Sequence, residues 1–237
     1  MATPARAVVG GMSSLLEPFE RLAARHVRTV LPVLFTAAVF AVRWQCTGKR
    51  SLGFLLFNVL LGGVPLACAG LATVAHAHRR KGLAALALLV GLVFLPNAPY
   101  VVTDLMHLRA RPLVPLWFDA AFFASAALAG VVLGVAALDE AGARLASWFG
   151  PRATTCVLLL ATLVSGFGIY LGRFVRLNSW DVLFRPRVVL HDALAPVLHP
   201  LAFTRAWAVT LLMGGLFTVA HHARGPSRKR AEDPVLG

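Results

Sequence analysis

The motifs that carry chemistry in the common enzyme classes are missing from this chain. It has no Ser-His-Asp arrangement, HExxH, Walker loop, GxGxxG or CxxC, so neither those hydrolases and zinc proteases nor the nucleotide-binding and thiol-redox classes have sequence support. Cysteine is scarce: Cys46, Cys68 and Cys156 are the only three, and the last two fall inside apolar runs. That excludes a disulfide framework. No pair of inverted repeats is visible, which counts against a common plan of secondary transporters. No small-x-small cleavage site follows the first apolar run, which Glu17, Glu20, Arg21, Arg25 and Arg28 precede. The run therefore reads as a retained helix and not as a signal peptide.

What the chain has in excess is apolar surface. Apolar residues make up 58% of its 237 positions and its mean hydropathy is +0.75, against an apolar share of roughly 45 to 50% in soluble domains. A water-soluble fold of this composition would leave large apolar patches exposed, so lipid is its natural solvent. The formal charge of +13 raises nucleic acid as a partner, but the basic residues stand at the ends of apolar runs, with no basic stripe or aromatic platform elsewhere. Membrane lipids are the expected partners and nucleic acid is not.

Counted in spans of ~20 residues, the apolar runs are 29–44, 52–75, 83–101, 117–138, 153–173 and 203–221. The expected fold is an all-α polytopic transmembrane bundle of about six spans with short interfacial helices. Residues 1–28 form an N-terminal arm, 29–222 the membrane domain and 223–237 a basic, disordered tail. Within the arm, Leu15, Leu16, Phe19 and Leu22 recur at helical spacing opposite Glu17, Glu20 and Arg21, which suits a helix lying on the membrane or a loosely ordered arm. The first run is the weakest: only fourteen residues separate Arg28 from Arg43, so a span there requires both arginines to snorkel to the surfaces. Six spans place thirteen Lys and Arg on the side of the termini and ten on the other, a thin majority for cytoplasmic termini.

Parity gives a firmer expectation. The loops after the third and fifth runs are two crossings apart and share a membrane face, which holds Asp104, His107, Asp119, Arg173, Arg176, Asn178, Asp181, His191 and Asp192. The third run ends in LPNAPYVVTDLMHL at 95–108. Pro96 and Pro99 remove two backbone donors and break or kink the helix near membrane depth, and Asn97 is placed to satisfy freed groups. Thr103 or Asp104 is expected to cap a new turn with Asp104 and His107 on one face. That pair reads as acid and base, as metal ligands with Asp119 as the third, or as a helix cap beside an interfacial histidine. The segment from Val182 to His199 is too often interrupted by charge and proline to cross, and is expected along the membrane surface.

The fifth run passes into SGFGIYLGRFVRLNSWD at 165–181. Gly166, Gly168 and Gly172 permit close helix packing. Arg173 and Arg176, three apart, suit a phosphate or carboxylate that two guanidiniums grip together, with Asn97, Tyr100, Asn178 and Asp181 as further candidate binding residues. The plainer reading is a pair of snorkelling arginines with Tyr170 and Trp180 in an aromatic belt. Arg173 is expected to pair with Asp104 or Asp119.

These two stretches resemble the signature segments of the bacterial membrane family called domain of unknown function 1361. Asn58, Pro65 and Trp117-Phe118-Asp119 also fit its pattern, and the likeness covers roughly 50 to 220. Where that pattern has a tryptophan before the proline of the second span, this chain has Gly63-Val64-Pro65. The resemblance implies a multi-pass protein of the bacterial inner membrane and brings no established activity. Three functions follow from the residues. One is an enzyme acting on a lipid or lipid-linked anion through Asp104, His107 and Asp119, with arginines holding the anion. Another is a transporter or anion-binding protein whose broken helix lines a cavity, and the third is a non-catalytic partner in a membrane complex. Cofactor and oligomeric state have no sequence signal.

Overall fold

The computed structural model describes residues 26, 27 and 29–223. The expected surface helix over 13–24 and the tail after 223 lie outside the described residues. Within them every regular element is helical, apart from an isolated bridge between Arg111 and Val114. Six helices are long and apolar enough to cross a membrane, which makes the chain an all-α polytopic bundle. They match the six apolar runs. The chain forms two compact units, residues 1–158 and 159–237.

The first unit is built on α1 (Thr29–Thr47), α2 (Gly53–Ala77), α3 (Lys81–Phe94), the short α4 (Asn97–Tyr100) and α5 (Leu116–Phe149). In α1 the polar residues Thr29, Thr36 and Arg43, seven apart, are buried, while Val30, Leu31, Leu34, Phe35 and Val42 are exposed. That inversion is what a lipid solvent requires, because an apolar face costs nothing against acyl chains and a polar face needs protein partners. Arg43 therefore corrects the snorkelling expectation: it turns inward at 2% exposure. α2 packs against both α3 and α5; Leu52, Leu55 and Val59 meet Val101 at the end of the third span and Phe122, Phe123 and Ala126 of α5 in one core.

The third span is broken where its prolines predict. α3 ends at Phe94, α4 follows from Asn97, and a 3-10 turn carries the chain through Val101–His107. Asn97 Nδ2 donates to the Phe94 carbonyl at 2.9 Å, so it does satisfy a freed group. Ala98 is wedged between Gly62 of α2 and Gly130 of α5, and a Cβ on Gly130 would collide with the Ala98 carbonyl oxygen. At Ala98 the break is thus closely packed by protein, which the two glycines permit.

α5 is longer than its apolar run. It continues to Phe149, where Gly150 at φ 80 and Pro151 end it. Its 34 residues rise about 51 Å at 1.5 Å each, well beyond a hydrocarbon core of ~30 Å. Residues 139–149 hold no helix breaker beyond Gly142, so the expected loop there is helical. α6 (Pro151–Tyr170) leads into the second unit.

In the second unit α6 passes through a π turn at Leu171–Val175, and Arg176 then leaves the helix in the left-handed region, φ 67. The short α7 (Asp181–Phe184), α8 (Pro186–Leu198) and the sixth span α9 (Thr204–Ala223) follow. α6 and α9 touch backbone to backbone at Gly166, where a Cβ would meet the Thr210 carbonyl oxygen and the Gly214 nitrogen. Next to that crossing the hydroxyls of Thr162 and Thr218 share a hydrogen bond of 2.7 Å.

Candidate functional site

Asp119 stands in the first turn of α5 but caps nothing. It accepts from Arg43 Nε at 2.7 Å and Arg43 Nη2 at 3.4 Å, and from Arg111 Nη1 at 3.1 Å. Arg43 and Asp119 are almost fully buried and Arg111 is half-buried. Two cations thus share one anion, and the buried Arg43 Nη1 has no hydrogen-bond partner. Arg111 also holds the loop it belongs to, donating to the His107 carbonyl at 3.1 Å and the Arg109 carbonyl at 3.2 Å.

Asp104 is 1% exposed and accepts from Asn58 Nδ2 of α2 at 2.7 Å. The expected cap is absent: no side chain caps the 3-10 turn, and Thr103 Oγ1 instead donates to the Tyr100 carbonyl at 2.7 Å. With three residues per turn, Val101, Asp104 and His107 stack along one side, so the shared face of Asp104 and His107 holds. Val101 and Asp104 are buried and His107 is exposed. The His107 ring meets Phe54 edge-on at 5.7 Å.

His107 opens onto a cleft of about 450 Å³ lined by Ser51, Leu52, Phe54, Met106, His107, Leu108, Arg109 and Arg111. It lies where α2 begins and the third span ends, at the mouth of the first unit. Half its lining is apolar and two of its residues are arginines. Pro96–Pro99, which a transporter reading places along a cavity, does not line it. Among the described residues no group of three His, Cys, Asp or Glu is placed to hold a metal ion. A metal reading of Asp104, His107 and Asp119 has no geometric support.

Asn97 and Tyr100 sit in the packed break of the third span, and the remaining candidates belong to the second unit. Asp181 is buried at the start of α7, where it accepts from Arg185 Nε at 3.0 Å and from the Asn178 backbone at 2.7 Å. The Arg185 hydrogen bond, then that of the Asn178 backbone, holds the Asp181 carboxyl below its ordinary value. Arg173 lies half-buried in the π turn, while Arg176 and Asn178 are exposed. Because the helix ends at Val175, a spacing of three no longer gives Arg173 and Arg176 a common helical face.

Arg43, expected to snorkel to the surface, and Arg111, taken only as a basic residue beyond an apolar run, are the missed members of the site. The seven-residue spacing of Thr29, Thr36 and Arg43 was the available signal, since three polar residues on one stripe of an apolar helix mark its protein side. Glu140 was missed as well. It is 2% exposed near the other end of α5, accepting from Thr73 Oγ1 at 2.6 Å and meeting His26 Nε2 at 3.3 Å. A charge beside an apolar run was its signal.

Six apolar helices carrying buried, mutually engaged polar groups define a multi-pass membrane protein. A family model described as "Protein of unknown function (DUF1361)" matches residues 57–220, and the chain belongs to that family. No curated protein and no solved structure matches it.

Proposed function

We propose that the cleft at the mouth of the first unit binds the anionic head group of a lipid or lipid-linked molecule. The observation that carries this reading is the composition of the cleft: Arg109, Arg111 and His107 beside Leu52, Phe54, Met106 and Leu108. Such a lining suits an amphiphile, whose anion meets guanidinium and whose first methylenes meet apolar side chains. Arg111 and Arg43 are only partly neutralised by Asp119, and among the described residues the Arg109 guanidinium makes no hydrogen bond or ion pair. Net positive charge at a low-dielectric boundary favours an anion as the missing complement. In this reading Asp119 is the counter-ion that holds two arginines in place, and any acid or base role falls to His107. The surplus of Lys and Arg on the terminal side supports placing both termini in the cytoplasm, and an all-helical bundle suits the bacterial inner membrane, since outer-membrane spans are β-barrels.

The test is native mass spectrometry of the purified protein in mixed phosphatidylglycerol, phosphatidylethanolamine and phosphatidylcholine, with inorganic phosphate as competitor. The wild type should retain the anionic lipid preferentially, and Arg109→Ala should lower that retention about tenfold, the value of one charge-assisted hydrogen bond of ~1.5 kcal/mol. Displacement by millimolar phosphate alone would identify a free anion as the ligand. Equal retention of all three lipids would remove the proposal.

A further inference from the structure

The connection between the fifth and sixth spans is a folded element with an outward apolar face. α8 has 13 residues, about 20 Å of helix, too short for a hydrocarbon core of ~30 Å. Its flanking spans end at Val175 and begin at Thr204, so both of its ends return to the membrane boundary. Leu183, Phe184, Leu190, Leu198 and Leu201 are 78%, 78%, 60%, 66% and 90% exposed.

Two contacts hold the ends of α8. At the corner between α7 and α8, Arg185 grips Asp181 through Nε at 3.0 Å and Nη2 at 2.9 Å. At the far end, Trp207 Nε1 of α9 donates to the Pro196 carbonyl at 3.1 Å, and the same indole stacks on Phe167 of α6 at 6.1 Å. Residues 173–205 carry five arginines against two aspartates, a net of three positive charges, and Arg187 is exposed on α8. Exposed leucines with a basic surround are the signature of a helix lying in an anionic bilayer surface.

We infer that residues 183–201 form an interfacial shelf, its apolar side chains seated in the acyl boundary and its arginines among anionic head groups. The shelf is distinct from the cleft of the first unit and does not depend on what that cleft binds. Partner chemistry follows from the surface: a phosphatidylglycerol-like bilayer is favoured over a zwitterionic one, by roughly fivefold for each basic residue brought near it.

The experiment places spin labels in the full chain in nanodiscs, with Cys46, Cys68 and Cys156 replaced by alanine. Phe184→Cys, Leu190→Cys and Leu201→Cys report the apolar side chains, and His191→Cys, about 100° round the helix from Leu190, the polar edge. In phosphatidylglycerol the first three should favour oxygen over a nickel chelate and lie about 5–10 Å below the phosphates, with position 191 nearer water. Arg187→Glu should move the three labels outward in phosphatidylglycerol but not in phosphatidylcholine. In the unmutated protein, amide exchange over 186–198 should slow severalfold when phosphatidylglycerol replaces phosphatidylcholine. Labels that read aqueous, or that are shielded from both reagents as a protein contact would shield them, overturn the shelf. Depth and exchange rates indifferent to lipid charge overturn its anionic partner.

Discussion

At Asp119 two guanidiniums meet one carboxylate inside the membrane protein, and the arithmetic of buried charge governs what substitutions do there. Removing the carboxylate leaves Arg43 and Arg111 facing each other without a counter-ion, which costs about 3–5 kcal/mol when one member of a buried ion pair is lost. Asp119→Asn should therefore lower the thermal stability of the detergent-solubilised protein sharply, by thermal-shift or by a refolding titration. Replacing the whole cluster, Arg43→Met and Arg111→Met with Asp119→Leu, should recover most of the loss, since well-packed apolar groups do not need the ion pairs. A single variant as stable as the wild type would show that the cluster holds no buried charge. Asn58 and Asp104 obey the same rule more mildly: Asn58→Leu leaves a buried carboxylate short of one donor, at a cost of about 1–3 kcal/mol.

Among the elements, the broken third span and the α7–α8 corner carry separate predictions. Gly130→Ala pushes a methyl into the Ala98 carbonyl oxygen, which is backbone and cannot swing aside, so it should destabilise by at least the roughly 1–3 kcal/mol of an overpacked core. Gly63→Ala, with open space around its Cβ position, is the control that should change little. At the corner, Asp181 has a folded pKa depressed below its ordinary 3.8, chiefly by Arg185. Its contribution is therefore complete above about pH 4 and is lost only as pH falls through the depressed folded value. Amide exchange over 181–188 should be level from neutral pH down to about 5 and accelerate in stronger acid, relative to the intrinsic rate. Asp181→Asn should show the loosened corner at every pH. The elements were also where sequence served best. Proline at 96 and 99 marked the break, and six apolar runs marked six spans, because both signals are local. Which helix face turned inward was harder, since lipid solvates an apolar side chain as well as protein does, and only polar periodicity such as Thr29, Thr36 and Arg43 distinguishes the two. The joining of Arg43 to Asp119 across 76 positions had no local signal at all. The length of α5 was missed for a related reason: hydropathy reports where lipid ends, not where the helix does.

At the scale of the whole molecule, helices that cross a membrane gather Arg43, Asp119, Arg109 and Arg111 at one mouth of the first unit. α2 and the third span lead away from that mouth and back, so Cys46 and a cysteine at position 110 belong on one side, and the turn after α2 on the other. Native Cys46 is exposed and serves as its own reporter. The direct measurement is labelling with a membrane-impermeant maleimide in sealed, uniformly oriented vesicles. The three proteins compared are the chain that keeps Cys46 alone, with Cys68 and Cys156 replaced by alanine, and Ala110→Cys and Arg79→Cys chains from which all three native cysteines are removed. Cys46 and position 110 should react from the same side, and position 79 should react only after the vesicles are opened or from the opposite side. Reaction of positions 110 and 79 from one side, or of all three irrespective of side, would contradict the bundle and the site built on it.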